Sequence, residues 1–186
     1  MDTETKSELR KTIKSRLAAL SREQFLAAGN FAAQEIKQVP NWDRFKSVLI
    51  FISMKDEIDT RPLMETILND QKLLFIPEIE DGDLVFYQIK QIEDYYSDGD
   101  PALTLKLKDF PALVITPALA FDRRLNRLGR GRSFYDRFFD SLDKSGRDYA
   151  SLGLCMDCQL VEKVPVDHWD KKLDMLLTES ALILPN

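Results

Sequence analysis

The chain is poor in the residues that usually mark a metal centre or a disulfide scaffold, with two cysteines and one histidine in 186 residues. Cys155 and Cys158 form a lone C-x-x-C. With no second pair and only His168 besides, a structural zinc site lacks ligands. A redox pair is the other reading of that spacing, but Cys155 lies in the apolar run Leu152–Met156, which favours buried structural thiols. No apolar run approaches the roughly 20 residues of a membrane span, and the N-terminus is charged rather than signal-like. A cytoplasmic protein without membrane attachment is expected. Basic residues are outnumbered, 26 Lys and Arg against 31 Asp and Glu, and the net charge of −5 argues against a general nucleic-acid binder. No repeat or low-complexity segment is visible. The length suits one domain, 1–186, able to bury a substantial core.

Glycine is also scarce, yet two of the seven fall in one loop. The stretch Pro117–Phe139 reads PALAFDRRLNRLGRGRSFYDRFF. It follows the β-branched run Val114–Thr116 and leads into Phe134, Phe138 and Leu142 at helical spacing, so a strand, a loop and a helix start are expected. Between them Arg127, Arg130 and Arg132 are interleaved with Gly129 and Gly131. Bare backbone amides, a helix N-terminus and guanidinium groups would then converge on one small volume, an anion site suited to phosphate. The alternative is a solvated basic loop, which has no need of the glycines. Asp136 lies in the first turn of the helix, where a carboxylate can hold the magnesium that accompanies a polyphosphate. The pattern is neither a Walker loop, lacking the Lys-Ser/Thr pair, nor a dinucleotide fingerprint, lacking the third glycine.

Elsewhere the spacing predicts a helix from Thr5 to Leu20 with the stripe Leu9, Ile13, Leu17 and Leu20. Lys6 and Arg16 fall within or beside that stripe and Arg10 at its edge, so they need partners or must snorkel. Ser21 and Gln24 read as a capping box for a second helix, ended by Pro40-Asn41. Ser47–Ser53 is apolar throughout, as in a parallel strand covered on both faces. A helix is expected from Arg61-Pro62, with Asp59 or Thr60 as its cap. Leu73–Pro77 and Leu84–Ile89 read as a hairpin turned at Asp81-Gly82-Asp83. Tyr149–Met156, Leu173–Leu177 and Ala181–Leu184 supply the remaining strands. Glu57, Asp122–Arg132 and Asp157–Gln159 each follow the carboxyl end of an expected strand, so one rim of one sheet would carry all three.

Taken whole, with Phe121-Asp122 ahead and Tyr135-Asp136-Arg137 behind, the central stretch resembles the signature of the 5-formyltetrahydrofolate cyclo-ligase (methenyltetrahydrofolate synthetase) family. The usual form there is P-G-L-A-F-D, then G-x-R-L-G-x-G-x-G-Y-Y-D-R. Lys6, Leu9 and Arg10 match its opening K-x-x-L-R, Glu57 and Thr60 its E-x-x-T, and Gln159 and Asp170 its C-terminal tail. The resemblance implies an α/β fold of three αβα layers with a mainly parallel central sheet, resembling the NagB/RpiA/CoA-transferase-like fold. It implies ATP-dependent cyclisation of 5-formyltetrahydrofolate, with or without a polyglutamate tail, to 5,10-methenyltetrahydrofolate. It further implies that Lys6, Arg10, Arg127, Leu128, Gly129, Arg130, Gly131, Arg132, Ser133, Phe134 and Tyr135 contact ATP, and that Glu57, Phe134 and Gln159 contact the folate. Asp136 and Asp170 would hold Mg²⁺, Arg130, Arg132 and Tyr135 would act catalytically, and the protein would be a monomer. His168 receives no role, because the family's histidine position is Trp169 here. Phe134 reads equally well as a stacking aromatic or as a core residue of its helix.

Four positions depart from the signature: Ala118, Leu125 and Ser133 stand where the family has glycine, and Phe134 where it has tyrosine. If the third loop glycine serves a positive φ, Ser133 costs about 1 kcal/mol or more, although serine is also a good N-cap. A non-catalytic nucleotide- or folate-binding protein on the same fold is the alternative these departures leave open. The polar segment Gln91–Lys108 holds Asp100-Pro101 where the family carries Gly-Ile-x-Glu-Pro, and no role follows from it.

Overall fold

The computed structural model describes residues 5–93 and 109–185, so Asp100-Pro101 lies outside the described residues. Helix α1 (Lys6–Ala18) starts where expected for a local reason. The Thr5 hydroxyl accepts from Glu8 N, and the Glu8 carboxylate accepts from Thr5 N at 2.9 Å. Ser21 and Gln24 form the same reciprocal box at the start of α2 (Arg22–Glu35). Each such cap contributes about 1 kcal/mol. Helix α3 (Arg61–Asn69) carries Pro62 in its first turn, where the missing N–H costs nothing.

Among the described residues, seven strands form the main sheet. In chain order they are β1 (Ser47–Ile50), β2 (Leu73–Glu80), β3 (Asp83–Ile89), β4 (Ala112–Thr116), β7 (Tyr149–Cys155), β9 (Met175–Thr178) and β10 (Leu182–Ile183). Their spatial order is β10-β9-β7-β4-β1-β2-β3. The inner pairs β2/β1, β1/β4, β4/β7 and β7/β9 are parallel, while the edge pairs β2/β3 and β9/β10 are antiparallel. The sheet is therefore mainly parallel with helices on both faces. Val48, Ile50, Leu113 and Ile115 pack under α1, α2 and α3. Leu49, Phe75, Phe86 and Val114 pack under α4 (Phe134–Lys144) on the other side. Fully burying side chains such as Phe75, Phe86 and Phe139 stabilises the fold by about 1.5–3 kcal/mol each. No helix among the described residues is long and apolar enough to cross a membrane.

Two features differ from the pattern-based expectation. Between β4 and α4 the chain folds into a second, three-stranded sheet, β6-β5-β8, made of β5 (Ala120–Asp122), β6 (Arg127–Leu128) and β8 (Leu160–Val161). Asp122, fully buried, ties its turn: its carboxylate accepts from Arg124 N, Asn126 N, Asn126 Nδ2 and Val164 N. The inward face of α4 is also rotated by one residue. Phe139 and Leu142 are buried, with Tyr135 and Phe138 packed beside them. Phe134 is half-buried with the Arg137 guanidinium 5.4 Å from its ring centroid.

Candidate active site

Because β1, β4 and β7 are parallel, the loops that leave their carboxyl ends meet on one rim. The loop after β1 carries Glu57, the loop after β4 carries the glycine-arginine run, and β7 leads into a 3₁₀ turn at Asp157–Gln159. Helix α1 crosses this rim. Arg10 Nε donates to the Gly129 carbonyl at 3.0 Å, and Arg16 donates to the Cys158 carbonyl at 3.2 Å. The basic residues on the inward side of α1 thus have their partners. Gly131 has φ +106° and sits against the Arg10 guanidinium, so a side chain there would be strained by its backbone.

Glu57 is the buried acid of the site, its side chain 8% exposed. Its Oε2 accepts from Met54 N at 2.9 Å, and its Oε1 accepts from Arg130 Nη2 at 3.1 Å. Arg130 thereby reaches across from the glycine loop to the opposite wall, and the same nitrogen donates to Asp56 Oδ1 at 2.7 Å. Burial pushes the Glu57 carboxyl above its ordinary range, and the Met54 amide and Arg130 only partly oppose this. Burial also pushes the Tyr135 hydroxyl up, with the neighbouring Glu57 charge adding to the effect. Glu57 is therefore a desolvated acid that meets Arg130, itself one-third exposed, at the edge of the site, a setting in which a polar ligand gains from a hydrogen bond.

Beside it lie the two carboxylates expected to hold a metal. Asp136 Oδ1 accepts from Arg127 Nη2 at 2.9 Å and from Lys171 N at 3.2 Å. Asp170 Oδ2 accepts from Lys6 Nζ at 2.5 Å and from Asp167 N at 2.8 Å. The Lys171 contact brings Asp136 against the backbone that carries Asp170. Among the described residues no three acidic, cysteine or histidine side chains cluster as a metal cage. Asp136 and Asp170 are nonetheless hard oxygen donors, the kind of which Mg²⁺ takes one or two.

The three arginines do not converge. Arg127 lies in β6 with its side chain 5% exposed, paired with Asp136 and 5.5 Å from the Phe139 ring, and its buried Nε has no hydrogen-bond partner among the described residues. Arg130 crosses to Glu57. Arg132 is exposed, its carbonyl accepting from Arg137 Nη1. Arg127 and Leu128 form the buried two-residue strand β6, whereas Arg130 and Arg132 follow it in the glycine loop. Leu128, expected on the nucleotide, has its side chain in the core and gives its carbonyl to Leu119 N at 2.8 Å. Gln159, expected on the folate, is turned inward: Oε1 accepts from Met156 N at 2.8 Å and Nε2 donates to Ala118 O at 2.7 Å. That buried amide staples two rim loops together. Ser133 adopts φ +51°, so the glycine position does need the left-handed region, and its side chain makes no cap hydrogen bond. Leu125 likewise has φ +66°.

Asp59, expected to do no more than cap α3, is fully buried and ion-paired to Arg61 at 2.7 Å and to Arg22. Gly29 of α2 packs so close that an added Cβ would lie 2.1 Å from the Asp59 carbonyl. Asp56 and Asp167 were not singled out by sequence reasoning. Their only signal is adjacency, one beside Glu57 and the other three residues before Asp170. Cys155 and Cys158 are free thiols, and burial pushes the Cys155 thiol well up, away from nucleophilic use. His168 lies exposed, edge-on to Trp169.

The sequence profile of the 5-formyltetrahydrofolate cyclo-ligase family matches residues 2–179. The 5-formyltetrahydrofolate cyclo-ligase of Escherichia coli is 33% identical over 185 residues, covering 91% of this chain and 98% of that one. The Mus musculus protein of the same name is 27% identical over 192 residues, covering 95% and 94%. Among solved structures, the 5,10-methenyltetrahydrofolate synthetase of Aquifex aeolicus superposes with a TM-score of 0.80 at 26% identity, over 97% of this chain and 93% of that chain. The Mycoplasma pneumoniae synthetase superposes at 0.73 with 20% identity, over 94% and 98%, and likewise shares the fold.

Proposed function

The chain belongs to the 5-formyltetrahydrofolate cyclo-ligase family, and from that premise we propose that it closes 5-formyltetrahydrofolate to 5,10-methenyltetrahydrofolate at the expense of ATP. The chemical problem is that a formamide oxygen is a poor leaving group. In the proposed sequence the formyl oxygen takes the γ-phosphoryl group and the bond to ADP breaks. The neighbouring amine then attacks the formyl carbon and loses its proton, and the carbon–oxygen bond breaks to release phosphate. Substrate and ATP react directly, so the protein's task is positioning and charge stabilisation.

The observation that carries this reading is the Arg130–Glu57 contact at 3.1 Å, which brings the glycine loop onto a buried acid of the facing loop. Glu57 would accept hydrogen bonds from the folate ring. Arg130 would stabilise charge on the transferring group, together with the loop amides at Gly129 and Gly131. Arg132 is exposed and available to phosphates, and Phe134 stands half-buried at the helix start with a ring face for a flat ligand. Lys6, now on Asp170, and Arg10, on the loop carbonyl, would complete the nucleotide contacts from α1. Asp136 and Asp170 would hold Mg²⁺, which supplies charge neutralisation on the phosphates when bound. Arg127 would hold Asp136 in place rather than meet the nucleotide itself.

The test is direct. Purified protein mixed with 5-formyltetrahydrofolate, ATP and Mg²⁺ should develop the near-ultraviolet absorbance of the methenyl product, and should not do so without ATP. Thermal stabilisation by both ligands with no chromophore would instead mark a binding protein on this fold.

A further inference from the structure

Asp56 has no place in the roles above, yet it lies nearer to Arg130 than Glu57 does. Arg130 Nη2 donates to Asp56 Oδ1 at 2.7 Å and to Glu57 Oε1 at 3.1 Å, so one nitrogen serves two carboxylates of the facing wall. Both sides of this clasp are anchored. The loop is tied to α1 through the Gly129 carbonyl, and Glu57 is tied to its own loop through Met54 N. The two acids differ in depth: the Glu57 side chain is 8% exposed and that of Asp56 34%.

We propose that Asp56 is a positioning residue that shares Arg130 with Glu57 and thereby makes nucleotide and folate binding cooperative. The inference rests on the proposed function and deepens it. A guanidinium whose charge is already offset by two carboxylates, both on its Nη2, attracts a phosphate less than a free one does, which weakens nucleotide binding to the folate-free protein. A folate ring that donates hydrogen bonds to Glu57 takes over the deep acceptor, leaving Arg130 tethered only to the more solvated Asp56. A contact between two groups each about one-third exposed is modest, and a triphosphate outcompetes it. Folate therefore lowers the cost of nucleotide binding, and by linkage nucleotide strengthens folate binding by the same factor.

Isothermal titration with a non-hydrolysable ATP analogue and Mg²⁺, with and without saturating 5-formyltetrahydrofolate, tests this on the full chain. In the wild type, folate should tighten the analogue about fivefold or more. Asp56→Asn should bind the analogue alone several-fold more tightly than wild type, and the enhancement by folate should shrink to under about twofold. Neutralising an acid near a triphosphate raises affinity in any geometry, so the cycle is completed with Arg130→Ala and the double variant. The gain from Asp56→Asn should vanish in the Arg130→Ala background. A gain that persists there, an Asp56→Asn protein that binds the analogue more weakly, or equal wild-type affinity with and without folate overturns the proposal while leaving the functional reading intact. No binding of either ligand to the wild type overturns both.

Discussion

Glu57 and Asp59 stand two residues apart on the loop after β1, both buried and both paired with arginine, yet their carboxyl groups are shifted in opposite directions. Arg61 holds Asp59 below the ordinary carboxylate range, against the cost of burial. Burial lifts Glu57 above it. The difference lies in where the partners come from. Asp59 accepts from Arg61 N at 3.1 Å, Arg61 Nε at 3.1 Å and Arg61 Nη2 at 2.7 Å, all two residues along its own chain, and from Arg22 of α2. The Glu57 guanidinium arrives from a loop more than seventy positions away and is shared with Asp56. A carboxylate saturated by local partners fastens α2, α3 and the loop to one another. One whose desolvation is left incompletely offset keeps capacity for a ligand.

Substitutions on the two sides of this pair should separate fold from function. The largest effect is expected at Arg130. Arg130→Ala should lower kcat/KM about a hundredfold or more, with a change in Tm of only a few degrees. Arg22→Ala, on the Asp59 side, should lower Tm and leave kcat/KM within about threefold. An Arg22 variant as inactive as the Arg130 variant would erase the distinction.

Next in size is the pH dependence. Asp59→Asn should destabilise by about 2 kcal/mol at neutral pH. The gap from wild type should close as pH falls through the depressed Asp59 pKa, because the wild-type carboxylate is then itself protonated. Glu57→Gln should behave in mirror image. It should match wild type in acid, where Glu57 is protonated, and gain on it as pH rises through the raised pKa and ionising the buried acid costs the wild type stability. Urea melts of the three proteins from about pH 3 to about pH 8 read both trends, and parallel curves would show that the two acids are equivalent after all.

The smallest effect is expected in the glycine loop. Ser133→Gly relieves a left-handed serine that forms no side-chain cap, and should raise stability by at most about 1 kcal/mol, readable as a small rise in Tm. A loss of stability would mean that the serine makes contacts that outweigh its backbone strain. Leu125 shares the positive φ, but its side chain is buried, so glycine there would lose packing instead.

Much of the site was legible before the fold was known, and the legible part has a common cause. Thr5, Ser21, the apolar run from Ser47 and the glycine-arginine loop all act over a few residues, through caps, periodicity and backbone freedom. These placed Glu57, Arg130 and the Asp157–Gln159 turn on one rim without any coordinates. Contacts that depend on distant partners were not legible. Arg127 looked like the first of three phosphate ligands, and a two-residue strand too short to leave a pattern turned it inward onto Asp136. Gln159 matches a folate contact, and in the fold its amide joins two loops. Asp59 reads as a cap and does accept from Arg61 N, but it is also an ion-pair centre, because Arg22 reaches it from a helix thirty-seven positions earlier.

By itself the chain determined its helix starts, its parallel strands and the loop whose glycines bare the backbone, since each is a short-range consequence of side-chain shape and hydrogen-bonding capacity. Only the packed molecule decided which charges meet. Ion pairs such as Arg130 with Glu57 and Lys6 with Asp170 join positions far apart along the chain, and their strength depends on how much water the surrounding layers exclude.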